Sequence, residues 1–214
     1  MISENLSHDC IVLDSKYDNL PNVEYLNISY DIYEGTGDKK QKVGERVCKF
    51  VQFPNNEKGV IPRILMKLLK ARKDTRKKIE FQTVTLKNSE KYSGTLKEDG
   101  DAIKLTYLDG KSSEFTRDEV ESIDATYGDF EKAVLDGLQN AYKVTANSLY
   151  GQIGAKTSPI YMKDIAACTT ATGRKMITMA RDFILENYEG AHIVYGDSVT
   201  GYTPTIIKVN NIIH

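Results

Sequence analysis

Lys143, Asn147 and Tyr150 stand in the run Lys143-Val-Thr-Ala-Asn147-Ser148-Leu-Tyr150-Gly151 at i, i+4 and i+7. On a helix that spacing sets a fixed cation, an amide and an aromatic ring on one face. Such a face can hold a phosphate, contact a sugar or backbone, and pack flat against a sugar or base. A second cationic group lies upstream. Residues 58–78 hold nine basic side chains against one acid, Asp74. Within them Val60, Ile64 and Leu68 form an i, i+4 stripe, with Ile61, Leu65 and Leu69 beside it, and the stripe continues to Arg72 and Arg76. Two guanidinium groups on the extension of a buried face point to an anion held there. Lys67, Lys70, Lys73, Lys77 and Lys78 read instead as a solvated surface or a diffuse attraction for phosphate.

The elements that must position these groups are legible in outline. Residues 1–56 look extended and irregular, with short apolar pieces such as Ile11-Val-Leu13 and Val47-Cys-Lys-Phe-Val51. Gly59-Val-Ile-Pro62 opens a helix, because proline fits a first turn where its missing N–H removes nothing. Segments 81–86, 92–96 and 102–108 alternate at period two, and Glu98-Asp-Gly100-Asp101 and Asp109-Gly110-Lys111 supply hairpin turns. A small β insertion is therefore expected over about 80–127. Helical patterning returns at Phe130 and carries the Lys143 motif. A further helix is expected over 162–187, with Ile165, Thr169, Thr172, Met176, Ala180 and Phe183 facing inward. Gly190 then breaks the chain before an apolar strand at 191–195 that ends in Tyr195-Gly196-Asp197.

Composition sets the bounds. The 214 residues are 40% hydrophobic and 28% charged, as in globular proteins. No run reaches the length of a membrane span, and the polar start is not a signal peptide, so no membrane partner is expected. Cys10, Cys48 and Cys168 are scattered, which predicts reduced thiols and no zinc site. His8, His192 and His214 show no ligand spacing. The net charge of −1 conceals segregation, since the acids cluster at 98–101 and 118–129.

Lys143-x-x-x-Asn147-Ser148-x-Tyr150-Gly151 resembles motif B of family B DNA polymerases, and the flanks Val134-Leu-Asp-Gly-Leu-Gln-Asn-Ala141 and Gly151–Ala155 match in the same style. Residues 58–72 are similar to the first fingers helix of that family. Tyr195-Gly196-Asp197 resembles the start of motif C, Y-G-D-T-D-S, and Met1-Ile-Ser-Glu-Asn5-Leu6-Ser7 resembles the residues directly after motif A. The resemblance implies an α+β fold: partial palm at 1–56, fingers built on an antiparallel helix pair at 57–154 around the β insertion, and partial palm at 155–197. It implies template-directed addition of dNTPs to a primer 3′-OH, with DNA primer-template, dNTPs and the remainder of the polymerase chain as partners. Arg72, Arg76 and Lys143 would grip the triphosphate, Arg72 matching more closely than Arg76. Asn147 would orient nearby groups and Tyr150 would pack near the nascent pair. Mg²⁺ is the implied cofactor, with Asp197 as a supporting ligand and catalytic carboxylate. Because the second motif C aspartate and the motif A aspartate have no counterpart here, the chain alone is expected to be inactive. The palm sheet is expected to lack the strand that completes the motif C hairpin.

Residues 198–214 depart from the polymerase pattern. Ser198-Val-Thr-Gly201-Tyr202-Thr203-Pro204 resembles the opening block of an intein, with Tyr202 in place of the usual Asp. That implies Ser198 as the nucleophile attacking the Asp197 carbonyl in an N→O acyl shift. A divergent motif C followed by a loop is the alternative. Half of a split-intein precursor and a non-catalytic nucleic-acid-binding module are the rival readings of the whole chain. The style of the match is that of large eukaryotic DNA viruses, which would place the enzyme in the host nucleus or a cytoplasmic viral factory.

Overall fold

A computed structural model describes residues 1–188, 192–197 and 206–210, the last two stretches as backbone strands. Residues 67–146 form one compact unit, and residues 1–66 with the described residues from 147 onward form another. Among the described residues, three long helices and antiparallel sheets of two, five and two strands make the class α+β, as expected.

In the first unit, β1 (Glu24–Glu34) and β2 (Gln41–Gln52) form a long antiparallel ribbon, with Ile28 opposite Cys48 and Tyr30 opposite Arg46. The expectation of irregular chain before residue 57 is corrected here. Only Tyr30 of β1 is buried, so the period-two signal that reveals a strand is faint. Segment 5–12 lies along β2, where the Val51 N–H donates to the Cys10 carbonyl and the Val12 N–H to that of Lys49.

Helix α1 (Val60–Ile79) starts against this segment. The first N–H groups of a helix have no partner within it, and here side chains from some fifty residues earlier accept them. Asn5 Oδ1 accepts from the Gly59 N–H at 2.7 Å, the Asp9 carboxylate from Val60 at 3.1 Å, and Ser7 Oγ from Ile61 at 3.2 Å. Pro62 follows and has no N–H to satisfy. Gly59 is required by the closeness of the cap, since a Cβ there would sit 2.5 Å from Cys10 Sγ and 2.8 Å from Ser7 Cβ. Burial tends to raise the Asp9 pKa, but hydrogen bonds from Ser7 and Val60 outweigh it and hold the carboxyl below its ordinary value.

The second unit contains strands β3 (Gln82–Leu86), β4 (Lys91–Asp99), β5 (Ala102–Thr106), β6 (Ser112–Thr116) and β7 (Val120–Ala125). Their order in the sheet is β6-β5-β4-β3-β7, so the last strand returns to pair with the first. Val84, Leu86, Ile103 and Leu105 form its core, with Tyr92, Leu96, Phe115, Val120 and Ile123 around them. The sequence pattern anticipates the first three strands and their turns. β6 and β7 add little apolar alternation of their own, and a capping box between Thr116 and Glu119 turns the chain from one into the other.

Helix α2 (Asp129–Gly154) spans both units, and α3 (Lys163–Asn187) packs along β1 in the first. Asp164 accepts from the Tyr30 hydroxyl at 2.7 Å and pairs with Arg46 at 2.9 Å, which ties α3 to both strands of the ribbon. The buried line of α3 is Ile165 and Cys168, whereas Met176 and Phe183, expected inward, are exposed. Ile177, Ala180 and Ile184 are half-buried in the later turns, so the line turned inward there is offset from the expected one. Strand β8 (His192–Asp197) pairs antiparallel with β9 (Ile206–Asn210). This corrects the expectation that no second strand completes the hairpin, although β9, Ile-Ile-Lys-Val-Asn, brings no carboxylate. The three cysteines are free and buried, and burial pushes the thiols of Cys10 and Cys168 up to about 12, which keeps them protonated and unreactive.

Candidate functional site

Helix α2 carries Lys143, Asn147 and Tyr150 on one side, as the spacing predicts. Its buried line runs beside them through Gln139, Ala146 and Ile153, seven residues apart. Lys143 and Asn147 are exposed. Tyr150 is half-buried, and its hydroxyl lies 2.6 Å from Thr170 Oγ1 on α3. Thr170 donates its own proton to the Ala166 carbonyl at 3.1 Å, so Tyr150 is the donor. The ring is thereby pinned at its polar end while the cation and amide beside it stay open to a ligand.

The second source of charge is α1. Its buried face is Ile61, Pro62 and Leu65, with Leu68 and Arg72 half-buried on the same line and Thr75 buried beyond. Val60 and Ile64 are exposed, one position out of register with the expected stripe. The consequence separates the two arginines. Arg72 does lie on the extension of the buried face, and its Nε–H donates to Gln139 Oε1 on α2 at 3.2 Å. Arg76 is exposed and does not. A stripe at i, i+4, i+8 drifts off a 3.6-residue helix, and by Arg76 it has drifted into solvent.

Gln139 lies one turn before Lys143 on α2, so its bond to Arg72 brings cations from two distant segments onto neighbouring turns. In the sequence Gln139 is signalled only by its i−4 relation to Lys143. Asn5, Ser7 and Asp9, which cap α1, offered no such signal, because cap rules look at the residues adjoining a helix and these lie more than fifty positions away.

Asp197 is the last residue of β8, its side chain outside the described residues, and Ser198 lies outside them altogether. Among the described residues no three His, Cys, Asp or Glu side chains converge into a metal-ligand set. No described helix is long and apolar enough to cross a membrane.

The sequence profile of DNA polymerase family B matches residues 116–205. The chain is 58% identical over 198 residues to the DNA polymerase of Pyramimonas orientalis virus, covering 92% of this chain and 16% of that protein. It is 34% identical over 226 residues to the DNA polymerase of Phaeocystis pouchetii virus, covering 93% and 17%. Against the DNA polymerase of Acanthamoeba polyphaga mimivirus the identity is 56% over 82 residues, 38% of this chain and 5% of the relative. The chain thus spans about a sixth of the length of the first two relatives.

Proposed function

This chain belongs to the family B DNA polymerases, and from that premise we propose that it supplies the fingers and part of the palm of an enzyme that extends a primer under template direction. The primer 3′-oxygen attacks the α-phosphorus of a dNTP, a new P–O bond forms, and the bond to the β-phosphate breaks to release pyrophosphate. Arg72, Arg76 and Lys143 balance the triphosphate charge that shifts as that bond breaks. Arg72 is the better placed of the two arginines, because Gln139 already fixes its direction. Asn147, exposed on the same side of α2, orients the groups nearby, and Tyr150 sets a wall against the nascent pair. The family is generally metal-dependent, and Mg²⁺ in the whole enzyme would be held by carboxylates beyond the described ones, with Asp197 in support. The partners are DNA primer-template, dNTPs and the remainder of the polymerase.

What carries the reading is the pairing of an exposed Lys143 with an Arg72 held one helical turn away. In the full-length enzyme, Lys143→Ala is expected to lower kcat/KM for dNTP by about 10²-fold or more. Unchanged dNTP kinetics in a folded variant would remove this face from the active site. Ser198 keeps its separate reading as an intein nucleophile, on the likeness of residues 198–204 to a splicing block. Ser198→Ala should then abolish N→O acyl transfer in the precursor, and a polymerase that matures equally well with alanine would rule it out.

A further inference from the structure

Gln139 is an expensive residue to bury. An aliphatic side chain would fill the same space between α1 and α2 without the cost of desolvating an amide. Both ends of that amide are engaged. Oε1 accepts from Arg72 Nε at 3.2 Å, and Nε2 donates to Asp136 Oδ1 at 3.0 Å. Asn140 donates to the other oxygen of the same carboxylate at 3.3 Å. The chemistry admits one orientation only. A guanidinium has donors and no acceptor, and a carboxylate accepts and does not donate. Each partner alone would turn the amide the same way, so Asp136 locks the carbonyl toward Arg72. With Nε–H engaged, the terminal Nη groups of Arg72 are the pair left to meet an anion as a fork.

We propose that Gln139 is a positioning residue, oriented by Asp136, that aims the Arg72 guanidinium at the incoming triphosphate. The assignment rests on the polymerase reading above and adds to it a residue that acts only through Arg72. Holding a flexible arginine ready in advance removes part of the ordering cost of binding. The loss on cutting Gln139 therefore falls on dNTP affinity and leaves the chemical step nearly intact.

The test is steady-state single-nucleotide incorporation by the full-length polymerase carrying Arg72→Ala, Gln139→Ala, both together, or Asp136→Ala. Gln139→Ala should raise KM for dNTP by about tenfold and change kcat less than about threefold, in keeping with loss of one hydrogen bond to a charged group. The double variant should be no worse than Arg72→Ala alone, because residues acting as a unit are not additive. Asp136→Ala, a change at an exposed position that spares the core, should raise KM by about threefold. Should Gln139→Ala fold poorly, this variant and its combination with Arg72→Ala carry the same comparison. Wild-type KM in both Gln139→Ala and Asp136→Ala, or losses that multiply with Arg72→Ala, would overturn the proposal while leaving the polymerase reading intact. A silent Arg72→Ala would overturn both the proposal and the assignment of Arg72 to the triphosphate.

Discussion

The two ends of helix α1 solve opposite problems. At its start every orphan donor has an acceptor, and the acceptors are an amide, a carboxylate and a hydroxyl brought from residues 5–9. At its far end, Arg76, Lys77 and Lys78 crowd the last turn with positive charge. Some of that charge suits the negative end of the helix dipole, but three cations in one turn exceed what the dipole needs. The closed end fixes where the helix starts, and the open end leaves charge for something outside. Arg72 stands between the two, half-buried and held by one hydrogen bond.

The largest effect should come from breaking the symmetry the sequence suggests between Arg72 and Arg76. Arg72→Ala in the full-length enzyme is expected to lower kcat/KM for dNTP by about 10²-fold, and Arg76→Ala by about tenfold at most. The difference follows from geometry, since one guanidinium is aimed by Gln139 and the other is in solvent. Equal losses in the two variants would mean that exposure and the Gln139 bond do not decide which arginine reaches the phosphates.

At the closed end the expected effect is on stability. Asn5 is fully buried, accepts from the Gly59 N–H and donates to the Val51 carbonyl at 3.3 Å. Asn5→Ala strands both partners and should cost about 3 kcal/mol, read by denaturant unfolding. A loss below about 1 kcal/mol would show that water or a shifted backbone replaces the cap. Asp9 gives a smaller and pH-dependent signal. Its folded pKa is depressed, so its contribution is present above the unfolded value, ordinarily about 3.9, and disappears as pH falls through the folded value. Asn caps nearly as well as Asp and the carboxylate is exposed and screened, so Asp9→Asn should cost only about 0.5 kcal/mol near neutrality, and the gap to wild type should close below about pH 4. A gap independent of pH would assign the effect to something other than the carboxylate's charge.

How much of this was legible in the sequence depends on how local each cause is. The start of α1 and the face of α2 that carries Lys143, Asn147 and Tyr150 are written in spacing, and both stand where spacing puts them. The α1 stripe misleads by one position because Val60 and Ile64 match the apolar template as well as Ile61 and Leu65 do. Which line is buried is settled by the 5–12 segment and by Gln139, and neither is near in sequence. The β1–β2 ribbon was hidden by its mostly half-exposed faces, and β7 by its polarity, since its pairing with β3 is a long-range contact. Met176 and Phe183 err in the other direction, apolar positions that fit the helical stripe yet are exposed while Ile177 and Ile184 beside them are half-buried. Among the site residues, Gln139 and Asp136 are ordinary polar side chains until their bonds to one another and to Arg72 are known.

The smallest expected effect sharpens the comparison most, because it separates aimed charge from diffuse charge. Lys77 lies in the last turn of α1, five residues beyond Arg72 and off the line that Gln139 holds. If its role is a general attraction for the DNA backbone, Lys77→Ala should leave KM for dNTP unchanged and stability within about 0.5 kcal/mol of wild type. The change should show in primer-template binding measured across a salt series. Loss of one phosphate contact reduces the slope of log K against log salt by about one, and the loss of affinity is largest at low salt. The same measurement on Arg72→Ala should leave the DNA slope nearly untouched while dNTP binding falls. An exchange of these two results, with Lys77 governing dNTP and Arg72 governing salt-dependent DNA binding, would invert the assignment along the helix. The open end would then be the aimed one, and Gln139 would be holding an arginine for the template instead of the triphosphate.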